Sequence, residues 1–321
     1  MSELLLNASR VALLAVPAVL GALLTRSGVI RRPADAMGGL NAFALYVGFP
    51  SLVVVGLVDG DFRVPSTPGF WALVPVHQAL LVATLFVAAR LTGTRDERGT
   101  LGLVALFANV AYLGLPLVVA IFGESVRGIA SLLVSIHVAL GVSLGPVLLA
   151  KYAGSVDGAV PWGRVLRQPL LWAPVVGGLL RLAPDSAQGL SLTILQPLAA
   201  AAAPVALFLL GIQLFVNRGV RGLGEVGVWL HVAGRLAIGP VLAVAVAWPL
   251  VGMGQLEPMH AAVAVTLAGM PAAVTTLILA RDAETGVERI TSVLVVSTLL
   301  CLVTLPLLAT IAARAFGVAP G

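Results

Sequence analysis

Two short motifs place a glycine and a proline inside apolar stretches of this 321-residue chain. They are Gly-Leu-Pro and Gly-Met-Pro, and their key residues are Gly114, Pro116, Gly269 and Pro271. Proline has no N–H for the carbonyl four residues earlier and clashes with it, while glycine loosens the turn before it. We therefore expect two interrupted helices, with second halves that start at Leu117 and Ala272. Free N–H groups and a partial positive charge at such starts favour an anion, for example a carboxylate. Ordinary proline kinks, satisfied by neighbouring helices, are the alternative.

Polar side chains beside the motifs could add contacts to the same anion. Asn109 lies about 10 Å along the helix before Pro116, two turns away and on the same face. Tyr112 and Thr275 could supply hydroxyl groups. The alternative for Asn109 is an interhelical hydrogen bond, and the alternative for Thr275 is a bond to its own helix backbone.

Arg235 is a charged residue well inside an apolar stretch, about 12 Å from its start by helical rise. A charge at such depth is a candidate for function. Two interpretations stay open: the guanidinium snorkels or caps backbone carbonyls, or it is a counter-charge for a bound anion. His77, His137 and His231 are the histidines within the apolar stretches, and they are our candidates for proton coupling.

The elements that position these residues are transmembrane helices. The chain is 59% hydrophobic and 10% charged, whereas soluble domains are about 25% charged. This composition excludes a cytosolic protein. Ten apolar runs predict ten spans of an all-α integral membrane protein, at about 8–24, 38–58, 70–90, 101–121, 127–150, 168–182, 192–216, 227–250, 259–280 and 289–312.

The charges between the runs predict orientation and exclude several functions. Thirteen basic residues follow the odd-numbered runs and five lie in the other gaps, so both termini are expected outside the plasma membrane. The net charge of +5 is spread in small groups, which does not favour nucleic acid. The 14 acidic residues avoid mid-membrane depth and there is one cysteine, so we expect no metal, no cofactor and no Na⁺/H⁺ exchanger of the carboxylate type. No catalytic motif or ATP-binding loop is present, and we expect no enzyme.

The helix-breaking residues recur along the chain. Pro17 and Gly21 correspond to Pro174 and Gly178, and the Gly-x-Pro motifs correspond at an offset of 155 residues. Five spans per half would invert the second copy in the membrane, which is typical of transporters. We predict two inverted five-helix repeats, residues 1–154 and 155–321, with spans 4 and 9 broken and crossing. Chance matches among 20 prolines are the alternative.

The stretch Phe107–Glu124, FANVAYLGLPLVVAIFGE, resembles the fourth helix of the auxin efflux carrier family, whose plant members are the PIN proteins. The region from Gly269 to Pro306 resembles its ninth and tenth helices. The resemblance implies a homodimeric carrier in which spans 1, 2, 6 and 7 form a scaffold and spans 3–5 and 8–10 form a moving transport bundle. It also implies that Asn109 contacts the substrate. Plant members carry an acid and a lysine on span 3, whereas residues 75–80 read PVHQAL here, so auxin is disfavoured. Bacterial relatives are associated with small organic acids such as malonate or malate.

We therefore expect a secondary active transporter that moves a small mono- or dicarboxylate by an elevator-like mechanism, with H⁺ or Na⁺ as candidate coupling ions. A passive channel, a solute sensor on the same fold and a carrier for a non-acidic solute are the alternatives.

Overall fold

The computed structural model describes residues 3–58, 63–92, 95–153, 163, 166–282 and 284–319. Within these residues the secondary structure is helical, and no strand longer than a single bridge occurs. The predicted boundary between the repeats, at residues 154 and 155, lies outside the described residues. The α-helices are α1 Glu3–Arg26, α2 Pro33–Phe43, α3 Phe49–Val58, α4 Pro68–Thr92, α5 Arg95–Leu106, α6 Leu115–Phe122, α7 Arg127–Ala153, α8 Pro169–Leu180, α9 Asp185–Val216, α10 Val226–Ala233, α11 Gly239–Gly252, α12 Pro258–Ala268, α13 Val274–Asp282 and α14 Val287–Ala315.

Seven continuous helical segments of the described chain are long and apolar enough to cross a membrane. Shorter apolar helices cover Val110–Phe122, Pro169–Leu180 and Pro258–Ala268. Each predicted apolar run contains at least one helix, and predicted runs 4 and 9 are each divided in two. The prediction of an all-helical, multi-pass membrane protein is confirmed at this level.

Three of the segments contain a single π-helical turn, and each turn ends two residues before a proline. The turns are Ala44–Gly48, Val110–Gly114 and Gly234–Ile238, followed by Pro50, Pro116 and Pro240. A proline clashes with the carbonyl four residues earlier, which here lies inside the turn. The wider i→i+5 bonding relieves that clash, as in the bond from the N–H of Leu115 to the carbonyl of Val110. These prolines therefore widen their helices without ending them.

The position predicted for the first helix break is wrong for this reason. The fourth helical segment is interrupted at residues 107–109, and Pro116 and Leu117 lie inside α6. In the ninth segment the break does include Gly269 and Pro271, and α13 begins at Val274, two residues after the predicted Ala272. The nonhelical stretch there runs through residues 269–273.

The backbones of α1 and α9 pack closely against each other. A Cβ atom added to Gly211 would lie 1.8 Å from the carbonyl oxygen of Ala18. A Cβ added to Gly21 would lie 2.2 Å from the carbonyl oxygen of Phe208. Helix association inside a bilayer depends on such close approach, because lipid provides no hydrophobic drive between helices.

Candidate functional site

The two helix breaks lie against each other and pair through their backbones. The N–H of Asn109 donates to the carbonyl of Pro271 at 2.8 Å, and the N–H of Ala273 donates to the carbonyl of Phe107 at 2.9 Å. Ala108 and Ala272 face each other in this short antiparallel bridge. Unpaired backbone groups at membrane depth are costly, so this mutual pairing is what makes two buried breaks stable.

A second set of contacts secures the start of α13. The N–H of Ala272 donates to Oγ of Ser297 on α14 at 3.2 Å. The N–H of Thr276 donates to the carbonyl of Ala273 at 3.0 Å. Sequence reasoning did not select Ser297 as a site residue, since a serine in an apolar run most often bonds to its own helix.

Four backbone N–H groups at the starts of the two half-helices remain without an acceptor in the described part of the chain. They belong to Ala111, Tyr112, Val274 and Thr275. The first N–H groups of a helix have no partner within it and carry a partial positive charge. The crossing breaks therefore bring together unpaired donors from both halves of the chain.

Asn109 ends the first break and adopts φ −76° and ψ 51°, the geometry of an inverse γ-turn. Its side chain is 3% exposed, and its Oδ1 atom makes no hydrogen bond with any described residue. An unpaired buried polar atom costs about 1–3 kcal/mol. Such a cost at the start of a helix is expected where a side chain serves a ligand.

Arg235 is fully buried next to both breaks. It lies in the π turn Gly234–Ile238, and its exposed fraction is 0%. The guanidinium donates to three backbone carbonyls: Nη1 to Ala105 at 3.0 Å, Nη2 to Ala268 at 3.1 Å and Nε to Met270 at 3.3 Å. Ala105 and Ala268 belong to the last turns of α5 and α12. Snorkelling to the membrane surface is therefore wrong, and capping of backbone carbonyls is the arrangement found.

Two of the three candidate histidines lie close to the breaks. His77 Nε2 is 3.0 Å from the carbonyl oxygen of Gly239. His137 receives the N–H of Ala108 at 3.4 Å and contacts the amide nitrogen of Gln78 at 2.9 Å. Both histidines line a cavity of about 20 Å³, enough room for one water molecule.

His231 does not line that cavity. Its ring nitrogens lie 2.6 Å from the carbonyl oxygen of Gly227 and 3.1 Å from Oγ1 of Thr100. Gly227 lies in α10 itself, so the contact with Thr100 is the one that links α10 to the middle of α5.

Tyr112 connects the first half-helix to α2. Its hydroxyl donates to Oδ1 of Asn41 at 2.5 Å, and its ring meets Phe49 edge-on with 5.1 Å between centroids. Sequence reasoning did not single out Asn41, because nothing local signals a partner about 70 residues away.

The two motif glycines allow the broken helices to approach their neighbours. A Cβ on Gly114 would lie 2.8 Å from Cδ2 of Leu267 on α12. A Cβ on Gly269 would lie 2.2 Å from Cδ2 of Leu308 on α14. Both glycines therefore allow close packing around the breaks, whereas the sequence interpretation gave them the role of loosening the helix.

Two larger cavities of the described structure are lined by residues at corresponding positions of the two halves of the chain. One has a volume of about 460 Å³ between α1, α9 and α14, and the other about 520 Å³ between α8, α3 and α7. The first is lined by Ala15, Ala18, Val19 and Ala22, and the second by residues 156 positions later, Leu171, Pro174, Val175 and Gly178. Likewise Ile136, Ala139 and Ser143 of the second cavity lie 162 positions before Thr298, Cys301 and Leu305 of the first.

Comparison with known proteins decides the family. The model of a family described as membrane transport protein matches residues 9–309. The chain belongs to this family. It is the auxin efflux carrier family, so the resemblance of residues 107–124 and of the C-terminal region is confirmed.

Two relatives cover most of their own length and of this chain. A protein of Rhizobium meliloti described as "Putative malonate transporter" is 28% identical over 288 residues, which are 86% of this chain and 87% of the relative. A protein of Methanothermobacter thermautotrophicus described as "Uncharacterized transporter" is 29% identical over 274 residues, 84% of this chain and 86% of the relative. The protein is thus a multi-pass membrane transporter, and its family and these relatives are transporters, not enzymes.

Proposed function

We propose that this protein is a secondary active transporter that moves a small organic anion, a mono- or dicarboxylate, across the plasma membrane. The observation that carries the proposal is the set of unpaired N–H donors at the crossing breaks, from Ala111, Tyr112, Val274 and Thr275. Donors at half-helix starts near the middle of the membrane suit the carboxylate of a substrate. The malonate in the name of the Rhizobium relative is a dicarboxylate, which agrees with this class.

Asn109 completes the binding site in this proposal. Its amide can donate from Nδ2 to a carboxylate oxygen, while Oδ1 can accept from a hydroxyl or a water that accompanies the anion. Pro116 and Leu117 belong to α6, the helix that follows this contact. Gly114 and Gly269 allow the two broken helices to pack closely against their neighbours.

Alternating access is the proposed mechanism, by an elevator-like movement of one bundle against another. The corresponding linings of the two large cavities support two inverted five-helix repeats, residues 1–154 and 155–321. In this arrangement predicted spans 1, 2, 6 and 7 form the scaffold, spans 3–5 and 8–10 carry the anion, and both termini lie outside. Two copies form a homodimer, as the family resemblance implies.

Proton coupling would act through His77 and His137. Both line the small cavity next to the breaks, and His137 accepts the N–H of Ala108 within the bridge itself. A proton gained or lost by either histidine would change the charge next to the backbone that holds the anion. Among the described residues, His231 hydrogen-bonds to Gly227 and Thr100, away from the bridge, and it is less suited to that role.

The direct test is uptake of labelled acids by the purified protein in liposomes. We expect saturable uptake of at least one of malonate, malate, acetate and pyruvate, with counterflow when the unlabelled acid is inside. Empty liposomes are the control, and thermal unfolding establishes that the reconstituted protein is folded.

Three results would each contradict the proposal. Uptake that never saturates would indicate a channel, and binding without uptake would indicate a sensor. Saturable uptake of neutral or cationic solutes without any acid would indicate a carrier for a non-acidic solute.

A further inference from the structure

The carbonyls that face Arg235 are of a kind that binds metal cations in other transporters. Where a transmembrane helix is broken, the C-terminal end of its first half presents carbonyl oxygens that have no helical N–H partner. Such ends and unwound carbonyls coordinate Na⁺ in carriers with discontinuous helices. Here α5 and α12 end at the two breaks, and Ala105, Ala268 and Met270 offer their carbonyls to one point.

The guanidinium of Arg235 occupies that point with a suitable charge. Each helix end carries about half a negative charge, so two ends together balance one cation. No Asp or Glu among the described residues lies within 4.0 Å of Arg235. The charges that compensate this fully buried cation are therefore the two helix ends.

The shape of the side chain adds to the fit. Three different nitrogens of the guanidinium each donate a hydrogen bond to a separate carbonyl, at distances of 3.0 to 3.3 Å. The planar guanidinium has several fixed donors, so one side chain can hold the ends of two helices in a constant relation. The π turn before Pro240 carries this residue and is itself set by the proline.

We propose that Arg235 is a built-in cation that takes the place of a coupling metal ion at the helix crossing. The inference rests on the proposed transport function, because it concerns what holds the transport site together. Since the cation is covalently attached, the crossing stays assembled without Na⁺, and transport does not depend on a metal cation bound there. Arg235 is then a positioning residue that supports the anion site from behind.

The test removes the cation and supplies it again from solution. Thermal unfolding is measured in detergent for the wild type, Arg235→Ala and the control Arg314→Ala, with methylguanidinium chloride or choline chloride at equal ionic strength. Arg314 on α14 is the control because it is an exposed arginine, and its partner Glu3 is also exposed, so the loss of its charge leaves no buried space for methylguanidinium. We expect Arg235→Ala to lower Tm, and methylguanidinium to raise it again by about 2–5 °C at ten times its dissociation constant. The wild type and Arg314→Ala should not respond.

The wild-type protein alone, compared in different salts, provides a second test. We expect its Tm and its acid uptake to be equal in sodium, potassium and choline chloride. A saturable rise of the wild-type Tm with Na⁺ alone would overturn the inference. So would a folded Arg235→Ala protein with wild-type Tm, or one that methylguanidinium does not stabilise.

A further variant, and the comparison of Tm with acid uptake, keep this inference separate from the proposed function. If Arg235→Ala does not fold, Arg235→Lys retains the charge and should remain indifferent to Na⁺, and a Na⁺ requirement in that variant would contradict the inference. Recovery of Tm involves no substrate, so it would support the built-in cation even if no acid were transported. Acid uptake without recovery of Tm would support the transport function and reject the built-in cation.

Discussion

Replacing Asn109 with alanine should separate a ligand-binding amide from a structural one. In the described structure its buried Oδ1 has no partner, so the wild-type protein carries the cost of an unsatisfied group. That cost is about 1–3 kcal/mol, and its removal offsets the packing lost with the side chain. We expect the free energy of unfolding of Asn109→Ala to stay within about 1 kcal/mol of the wild type.

Binding should respond in the opposite way. A hydrogen bond to a charged group contributes about 1.5–3 kcal/mol, which corresponds to a roughly 10- to 100-fold rise in Kd when it is lost. Isothermal titration of the detergent-purified protein with the acid found in the uptake assay measures this change. Thermal unfolding of the same samples measures the stability.

Ser292→Ala is the matched control for a buried polar group that is already paired. Its hydroxyl donates to the carbonyl of Arg221 at 2.6 Å and receives the N–H of the same residue at 3.1 Å. We expect Ser292→Ala to lose about 1 kcal/mol of stability and to keep its Kd. If Asn109→Ala lost stability and kept its affinity, Asn109 would be a structural residue and the proposed site would be refuted.

Three further predictions concern the packing and the breaks. Gly211→Ala should lower Tm because its Cβ would meet the backbone of α1, whereas Gly189→Ala on the same helix, which has open space, should not. Tyr112→Phe removes the 2.5 Å bond to Asn41 between the proposed transport and scaffold bundles; uptake kinetics should change while Tm falls by no more than about 2–4 °C. Pro271→Ala should reduce uptake more than Pro116→Ala, because Pro271 lies in a break whereas Pro116 lies inside a continuous helix. Equal losses would contradict the location of the break.

Prediction from sequence succeeded where local rules are sufficient. Each apolar run contains at least one helix of the described chain, because burying about 20 apolar residues in lipid depends on composition alone. The Gly-Met-Pro motif located the break around Pro271. The Gly-Leu-Pro motif did not, because a proline can be accommodated either by a break or by a π turn, and both satisfy the same local clash.

The candidate site was only partly predictable for a related reason. Asn109, Thr275 and His137 were selected as polar groups in apolar runs, and they lie at the crossing breaks. Asn41 and Ser297 were not selected, since their importance comes only from what they contact. Arg235 was recognised as unusual, but a buried charge can be satisfied by a ligand, by water or by carbonyls, and the sequence does not distinguish these.

The amino-acid sequence by itself determined that this chain is a helical membrane protein and where its helices lie. It also showed that the Gly-x-Pro motif occurs twice, 155 residues apart. These properties follow from transfer free energies and backbone sterics that act within a few residues. The tertiary structure alone decided that the breaks pair as a bridge between Ala108 and Ala272 and that Arg235 joins the ends of α5 and α12. Both arrangements connect residues more than 30 positions apart, and their hydrogen bonds form only when the packing of whole helices brings donor and acceptor within about 3 Å.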